Sequence, residues 1–286
     1  MSKRTSMSGT LVGLVLVAAV SICGADGLWG EFDLPPVLIA ALGAILVQWL
    51  AFGFAWKFKS ERFFDLFGSG TFVFVVLIAA LYSRSHLGLF DVALMVAVSL
   101  WALRLGSFLV TRVRMVGFDR RFDAMKQDFS WFFMTWTLQG TWVVVTTAPV
   151  VTVIGDGSSQ PLGLIEIVGL LIWLGGFSIE IIADDQKKKF RLSGSDTFIQ
   201  TGLWNRSRHP NYFGEIVLWT GLALAAFPSL DRFQLLTLIS PLFVWALLVK
   251  ISGIPMLEAK AERKWGSERS YVEYKSRTPM LVPRLR

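Results

Sequence analysis

The chain has 286 residues, 53% of them hydrophobic, 14% aromatic and 17% charged, with a formal charge of +7. That balance excludes intrinsic disorder, which needs low hydrophobicity and high charge. With Gly 25, Pro 10 and Cys 1, collagen-like and disulfide-rich chains are excluded as well.

A mean hydropathy of +0.55 is more apolar surface than one or two soluble domains of this length bury. The chain therefore reads as an all-α polytopic membrane protein. Eight continuous apolar stretches follow in chain order, at roughly 10–25, 36–57, 68–83, 89–111, 131–154, 161–183, 211–227 and 233–252. Their continuity argues against barrel strands, which alternate. The first stretch is short and follows Lys3 and Arg4, so a signal peptide is the alternative to a spanning helix there. It lacks a small-x-small cleavage site. Gly68, Gly70 and Thr71 interrupt the third stretch.

The loops sort by charge. Segment 26–35 carries Asp26, Glu31 and Asp33, and 155–160 carries Asp156. The basic segments hold Lys57, Lys59 and Arg62; then Arg112, Arg114, Arg120, Arg121 and Lys126; then Lys187 through Arg208; then Lys250 onward. The loops holding Arg84, or Asp231 beside Arg232, carry no bias. The positive-inside rule makes the basic loops cytoplasmic, with the C-terminus inside for seven or for eight spans. With only His86 and His209, a histidine metal site is not expected.

Four constellations go beyond topology. Glu180, Asp184, Lys188 and Arg191 are spaced i, i+4, i+8 and i+11, near one helix face. Snorkelling accounts for the lysines of 187–189, but not for carboxylates inside an apolar run. The second runs from Gly202 to Glu215 and holds Arg206, Arg208, His209, Pro210, Asn211 and Tyr212. Pro210 suits a helix start, which puts Asn211 and Glu215 on one face. Arg206, Arg208 and that helix N-terminus form an expected anion site; a basic loop facing headgroups is the alternative. The third is Glu258 and the basic, Trp-bearing tail through Trp265, Tyr271, Tyr274 and Pro283, which alone suits a surface helix. The fourth is upstream: Glu61 and Asp65, i and i+4 at the start of a span, with Trp101, Arg104 and Gln139 inside spans. They suggest a polar cavity or, alternatively, interhelical hydrogen bonds.

The stretch Arg208-His209-Pro210-Asn211-Tyr212-x-Gly214-Glu215 resembles the steroid 5α-reductase and sterol reductase superfamily, most closely its bacterial reductase-like membrane proteins. Asp184-x3-Lys188-x2-Arg191 and the tail from Glu258 through Lys264-Trp265-Gly266, Tyr274 and Pro283 are similar to flanking patterns of that family. The resemblance covers about 175–286, with weaker matches at Arg104 and Leu138-Gln139-Gly140. It implies one reductase domain over 1–286, with 1–130 on the substrate side and 131–286 on the cofactor side. It implies a bundle of seven to eight transmembrane helices whose cytoplasmic loops and C-terminal tail close over NADPH. Glu180, Asp184, Lys188, Arg191, Arg206, Arg208, His209, Asn211, Tyr212, Glu215, Glu258 and Arg104 are its implied cofactor residues. Asp65, or Glu61 in the other register, falls at the acidic residue near a substrate carbonyl. Trp101 falls where steroid-reducing members carry Tyr, a departure at the carbonyl-polarising position.

The implied reaction is reduction of an activated C=C bond in a lipophilic enone, such as a 3-oxo-Δ4 steroid. The carbonyl oxygen gains charge as hydride arrives, so a hydrogen-bond donor there lowers the barrier. A carboxyl in apolar surroundings can stay protonated to act as that donor. A monomer in a bacterial inner membrane, without nucleic acid, is the expected setting. The alternative is an S-adenosylmethionine-dependent membrane methyltransferase of the isoprenylcysteine carboxyl type, which shares the Arg-His-Pro-x-Tyr loop. Its cofactor has no phosphate to meet the cations at 187–208.

Overall fold

In the computed structural model the described residues are 1–29, 34–83, 87–116, 122–157 and 161–284, with backbone alone for 110–116. Glu31, Asp33, Arg84, His86, Arg120 and Arg121, and the side chains of Arg112 and Arg114, lie outside them. The described chain is helical, with no strand among these residues. Each of the eight apolar stretches has its helix.

α1 (Lys3–Gly24), α2 (Pro36–Phe58), α3 (Phe64–Leu81), α4 (Leu89–Val116), α5 (Phe129–Asp156) and α6 (Leu164–Leu192) follow in order. α7 (Pro210–Ala226) comes next, then a 3-10 segment (Arg232–Ile239), α8 (Ser240–Ala246), a π turn (Leu247–Ile251), α9 (Ile254–Trp265) and α10 (Arg269–Arg277). Among the described residues, seven helical stretches are long and apolar enough to cross a membrane: α1 to α6, and Arg232–Trp265. α7 has 17 residues, about 25 Å at 1.5 Å per residue, short of a hydrocarbon core of about 30 Å. α1 runs as one helix from Lys3, capped by Ser2. α3 passes unbroken through Gly68 and Gly70.

The chain divides into two compact units, 1–163 with 226–240, and 164–225 with 241–286. In unit 1, α5 is the central pillar. α1 and α3 run parallel to it: Gly9 meets Met134 and Gly24 meets Thr152 on one side, while Phe72 packs edge-on to Trp142 on the other. α2 runs antiparallel, with Pro36 against Gly155 and Trp49 Nε1 donating to Thr137 Oγ1 at 3.1 Å. The starts of α1, α3 and α5 and the end of α2 thus share one end, which carries Lys3, Arg4, Lys57, Arg62 and Lys126. The opposite end carries a polar cleft of about 530 Å³ lined by Asp26, Asp156, Asp231 and Gln234. Pro149 interrupts the hydrogen-bond ladder of α5. Close by, the Ser240 hydroxyl donates to Thr146 O at 2.6 Å.

Unit 2 is built on α6 and α7, packed antiparallel along a seam of glycines. A Cβ at Gly176 would sit 2.5 Å from Leu218 N and 2.6 Å from Gly214 O, and one at Gly169 would sit 2.6 Å from Gly221 O. Backbone meets backbone at both crossings, which only glycine permits.

Candidate functional site

The seam ends in a polar cluster. Glu180 (3% exposed), Asp184 (6%) and Glu215 (8%) are buried. Gly214 leaves the room that Glu180 fills, since a Cβ there would lie 3.1 Å from Glu180 Cβ. Asn211, in the first turn of α7, donates from Nδ2 to Asp184 Oδ1 at 3.2 Å. The i, i+4 spacings of 180/184 and 211/215 thus meet across two helices. The expected common face of α6 divides beyond Asp184: Lys188 and Arg191 are exposed on its last turns. The carboxylates are buried and the cations exposed.

The loop between α6 and α7 is tied to α6. Trp204 is buried and donates from Nε1 to Ala183 O at 3.0 Å, with Lys187 Nζ 4.5 Å from its ring. Gly202, at φ 61°, lies against Gln186, whose Oε1 accepts from Leu203 N at 2.9 Å.

The C-terminal segment then covers that loop. Arg208 N–H donates to Pro279 O at 2.9 Å and Arg284 N–H to Arg206 O at 3.0 Å. The Ser207 hydroxyl donates to Leu281 O at 2.7 Å. Tyr274 OH donates to Trp204 O at 2.7 Å, and burial pushes that phenol far above its ordinary range. Its proton stays where it is. Phe198, Tyr271, Tyr274 and Trp265 form an aromatic box beneath this segment.

One carboxylate joins these parts. Glu258 on α9 accepts from Arg208 Nη1 at 2.9 Å on one oxygen and pairs with His209 Nε2 at 2.8 Å on the other. His209 is buried, its ring stacked on Tyr212 at 5.8 Å. Gly253, just ahead of α9, lets the Tyr212 ring approach: a Cβ there would lie 3.0 Å from Tyr212 Cε2. Burial holds His209 below its ordinary value of 6.5, against the opposing pull of Glu258, so the imidazole is neutral at pH 7. The expected anion site thus differs in detail. Arg206 is exposed, but part of the Arg208 head already meets a carboxylate of the tail.

The upstream candidates lie in unit 1. Glu61 precedes α3, which begins at Phe64, so Glu61 and Asp65 are not successive turns of one helix. The turn at Arg62–Phe63 separates them. Glu61 Oε2 accepts from Lys126 Nζ at 3.1 Å, and Asp123 Oδ1 joins that ammonium at 3.2 Å. Burial works to lower Lys126, but the hydrogen bonds it donates to Glu61 and Asp123 outweigh it and raise it above 10.5. Asp65 lies in the first turn of α3. Trp101 is fully buried, its ring 4.9 Å from Phe72 and 6.1 Å from Trp142. Arg104 is half-buried on α4, 5.6 Å from the Phe108 ring.

Gln139 Nε2 donates to Phe64 O at 3.1 Å, and Gln48, which the sequence reading passed over, donates to Thr71 Oγ1 at 2.9 Å. Also missed were Ser207, Lys126 as the partner of Glu61, and the glycine seam. The repeated spacing Gly169-x6-Gly176 and Gly214-x6-Gly221 was a usable signal for the seam. Among the described residues no group of His, Cys, Asp and Glu is arranged to hold a metal.

A family model described as "Protein of unknown function (DUF1295)" matches residues 51–278, from the middle of α2 past the end of α10. No curated protein and no solved structure matches the chain. The chain belongs to the DUF1295 family.

Proposed function

We propose that this DUF1295-family chain is a membrane-embedded, NADPH-dependent reductase of an activated C=C bond in a lipophilic enone, most readily a 3-oxo-Δ4 steroid. The carrying observation is the polarity of unit 2. Asp184 and Asn211 are joined at the buried end, and Lys188, Arg191 and Arg206 are exposed. A ligand with a carboxamide at one end and phosphates at the other suits that order. Carboxyl and amide groups bind a carboxamide, and cations bind phosphate.

When bound, NADPH supplies the hydride. The protein's part is placement and electrostatics. Asn211, Asp184 and Glu215 orient the carboxamide end. Lys188, Arg191 and Arg206 hold phosphate oxygens. Glu258 fixes Arg208 and His209, so the C-terminal segment excludes water from the site. Asp65 donates to the substrate carbonyl oxygen as charge develops there. The α-carbon takes its proton from water or a tyrosine other than Tyr274. The basic end of unit 1 faces the cytoplasm, by the positive-inside rule, in a bacterial inner membrane.

A methyltransferase using S-adenosylmethionine is the second reading. It is favoured by the three buried carboxylates, which suit a cationic ligand, and by the Glu258–Arg208 pair, which occupies a cation that phosphate would otherwise meet. Binding separates the two. Purified full-length protein in detergent and in lipid is titrated with each cofactor, and NADPH oxidation is followed with a panel of enones. Saturable NADPH binding with enone-dependent oxidation is expected. Saturable binding of S-adenosylmethionine alone would sink the reductase reading.

A further inference from the structure

Arg208 and His209 each present one filled and one unfilled polar face. A carboxylate only accepts, so the 2.8 Å contact to Glu258 Oε1 places the imidazole proton on Nε2. Nδ1 of the neutral ring is then an acceptor. It is buried, on a side chain 7% exposed, and has no hydrogen-bond partner among the described residues. The neighbouring Arg208 Nε–H is a permanent donor, also buried and without a partner there. Arg208 Nη1 and the Arg208 backbone N–H are both engaged. Tyr212 stacks on the imidazole ring and Glu258 anchors its far nitrogen, so the acceptor cannot turn away.

Consecutive residues thus offer one acceptor and one donor, each desolvated with nothing returned. Buried polar atoms in that condition call for a partner. A hydroxyl group serves either kind of atom, donating its proton to Nδ1 or accepting with its oxygen from Nε–H. We infer that Arg208 and His209 form a hydroxyl-reading subsite for a ribose of the bound cofactor. Glu258 is the positioning residue that holds the pair. The inference rests on the reading of unit 2 as a nucleotide site, but a ribose is common to NADPH and S-adenosylmethionine.

Two substitutions separate the two nitrogens of His209. In His209→Gln the side-chain amide reaches the Nε2 position, keeping the Glu258 bond and losing the acceptor. In His209→Asn the amide oxygen falls near Nδ1, keeping the acceptor and losing the Glu258 bond. Affinities for NADPH and S-adenosylmethionine are measured by calorimetry on full-length protein. Tail protection is read by trypsin cleavage at Arg269 and Arg277. The expected result is affinity about tenfold weaker in His209→Gln with the tail still protected, and a smaller loss in His209→Asn.

If wild type binds NADPH and His209→Gln binds it equally well, the subsite is wrong and the reductase reading stands. If only S-adenosylmethionine binds and His209→Gln weakens it, the subsite stands and the reductase reading falls. Loss of affinity in both variants together with tail release makes His209 merely structural and overturns the subsite. Binding of neither cofactor by wild type overturns both.

Discussion

The central helices of the two units bury their polar residues in opposite ways. α5 is 89% buried over its most apolar stretch and α6 only 28%. Yet the buried hydroxyls of α5 that find an acceptor find it on their own helix: Thr137, Thr141 and Thr147 donate to Phe133 O, Thr137 O and Val143 O, while Thr146 and Thr152 have no partner among the described residues. The polar cluster of α6 and its loop reaches across to α7, α9 and the tail. A polar group satisfied within its own turn is consistent with packing alone. The unit 2 cluster differs in drawing charged partners from several segments at once, α6, α7 and α9.

Adding a methyl group to a glycine in each unit should separate the two units most clearly. Gly176→Ala meets rigid backbone at 2.5 Å, whereas Gly140→Ala on α5 meets side chains, the end of Ile45 and Cγ of Gln48. Thermal unfolding in detergent should show a cost of about 3 kcal/mol for the first and about 1 kcal/mol for the second. Equal costs would mean that the α6–α7 seam yields as easily as a side chain.

A smaller effect comes from the two clamps. Glu258→Gln leaves the Arg208 guanidinium without its counter-charge, at a cost of about 2 kcal/mol. Glu61→Gln removes a pair at the more accessible Lys126 and costs about 0.5 kcal/mol. Chemical denaturation of each variant checks both. A larger loss at Glu61 would shift attention back to unit 1.

The smallest effect is in pH, and its sign differs between the units. His209 has a folded value below 6.5, so its contribution is present above pH 6.5 and is lost as pH falls through that value toward the folded one. Lys126 has a folded value above 10.5, so its contribution is present below pH 10.5 and is lost as pH rises through the folded value. Stability profiles should lose their acid limb in His209→Gln and soften their alkaline limb in Lys126→Met. A wild-type acid limb retained in His209→Gln would place that titration elsewhere.

Much of the fold was legible because span hydropathy is a local property. All eight stretches became helices, including the weak first and third. The third begins at Phe64 rather than at 68, since Gly68 is not a break: its missing side chain admits Gln139. The faces 180/184 and 211/215 were also legible, as helix periodicity puts each pair on one side of its helix; that the two faces meet was not. What the sequence could not show were contacts between distant positions. Glu258 lies some fifty residues beyond Arg208, and Lys126 far from Glu61. Glu61 and Asp65 misled because i, i+4 spacing predicts a shared face only where both residues are helical.

The glycine seam has a consequence for register. Gly169 and Gly176 face Gly221 and Gly214, so contact recurs only every seven residues. Sliding α7 along α6 by one turn would drive side chains into backbone, and the next compatible setting lies about 10 Å away. The two helices are therefore indexed like a ratchet with widely spaced teeth. The Asp184–Asn211 pairing takes its alignment from that index, set at positions that carry no chemistry of their own.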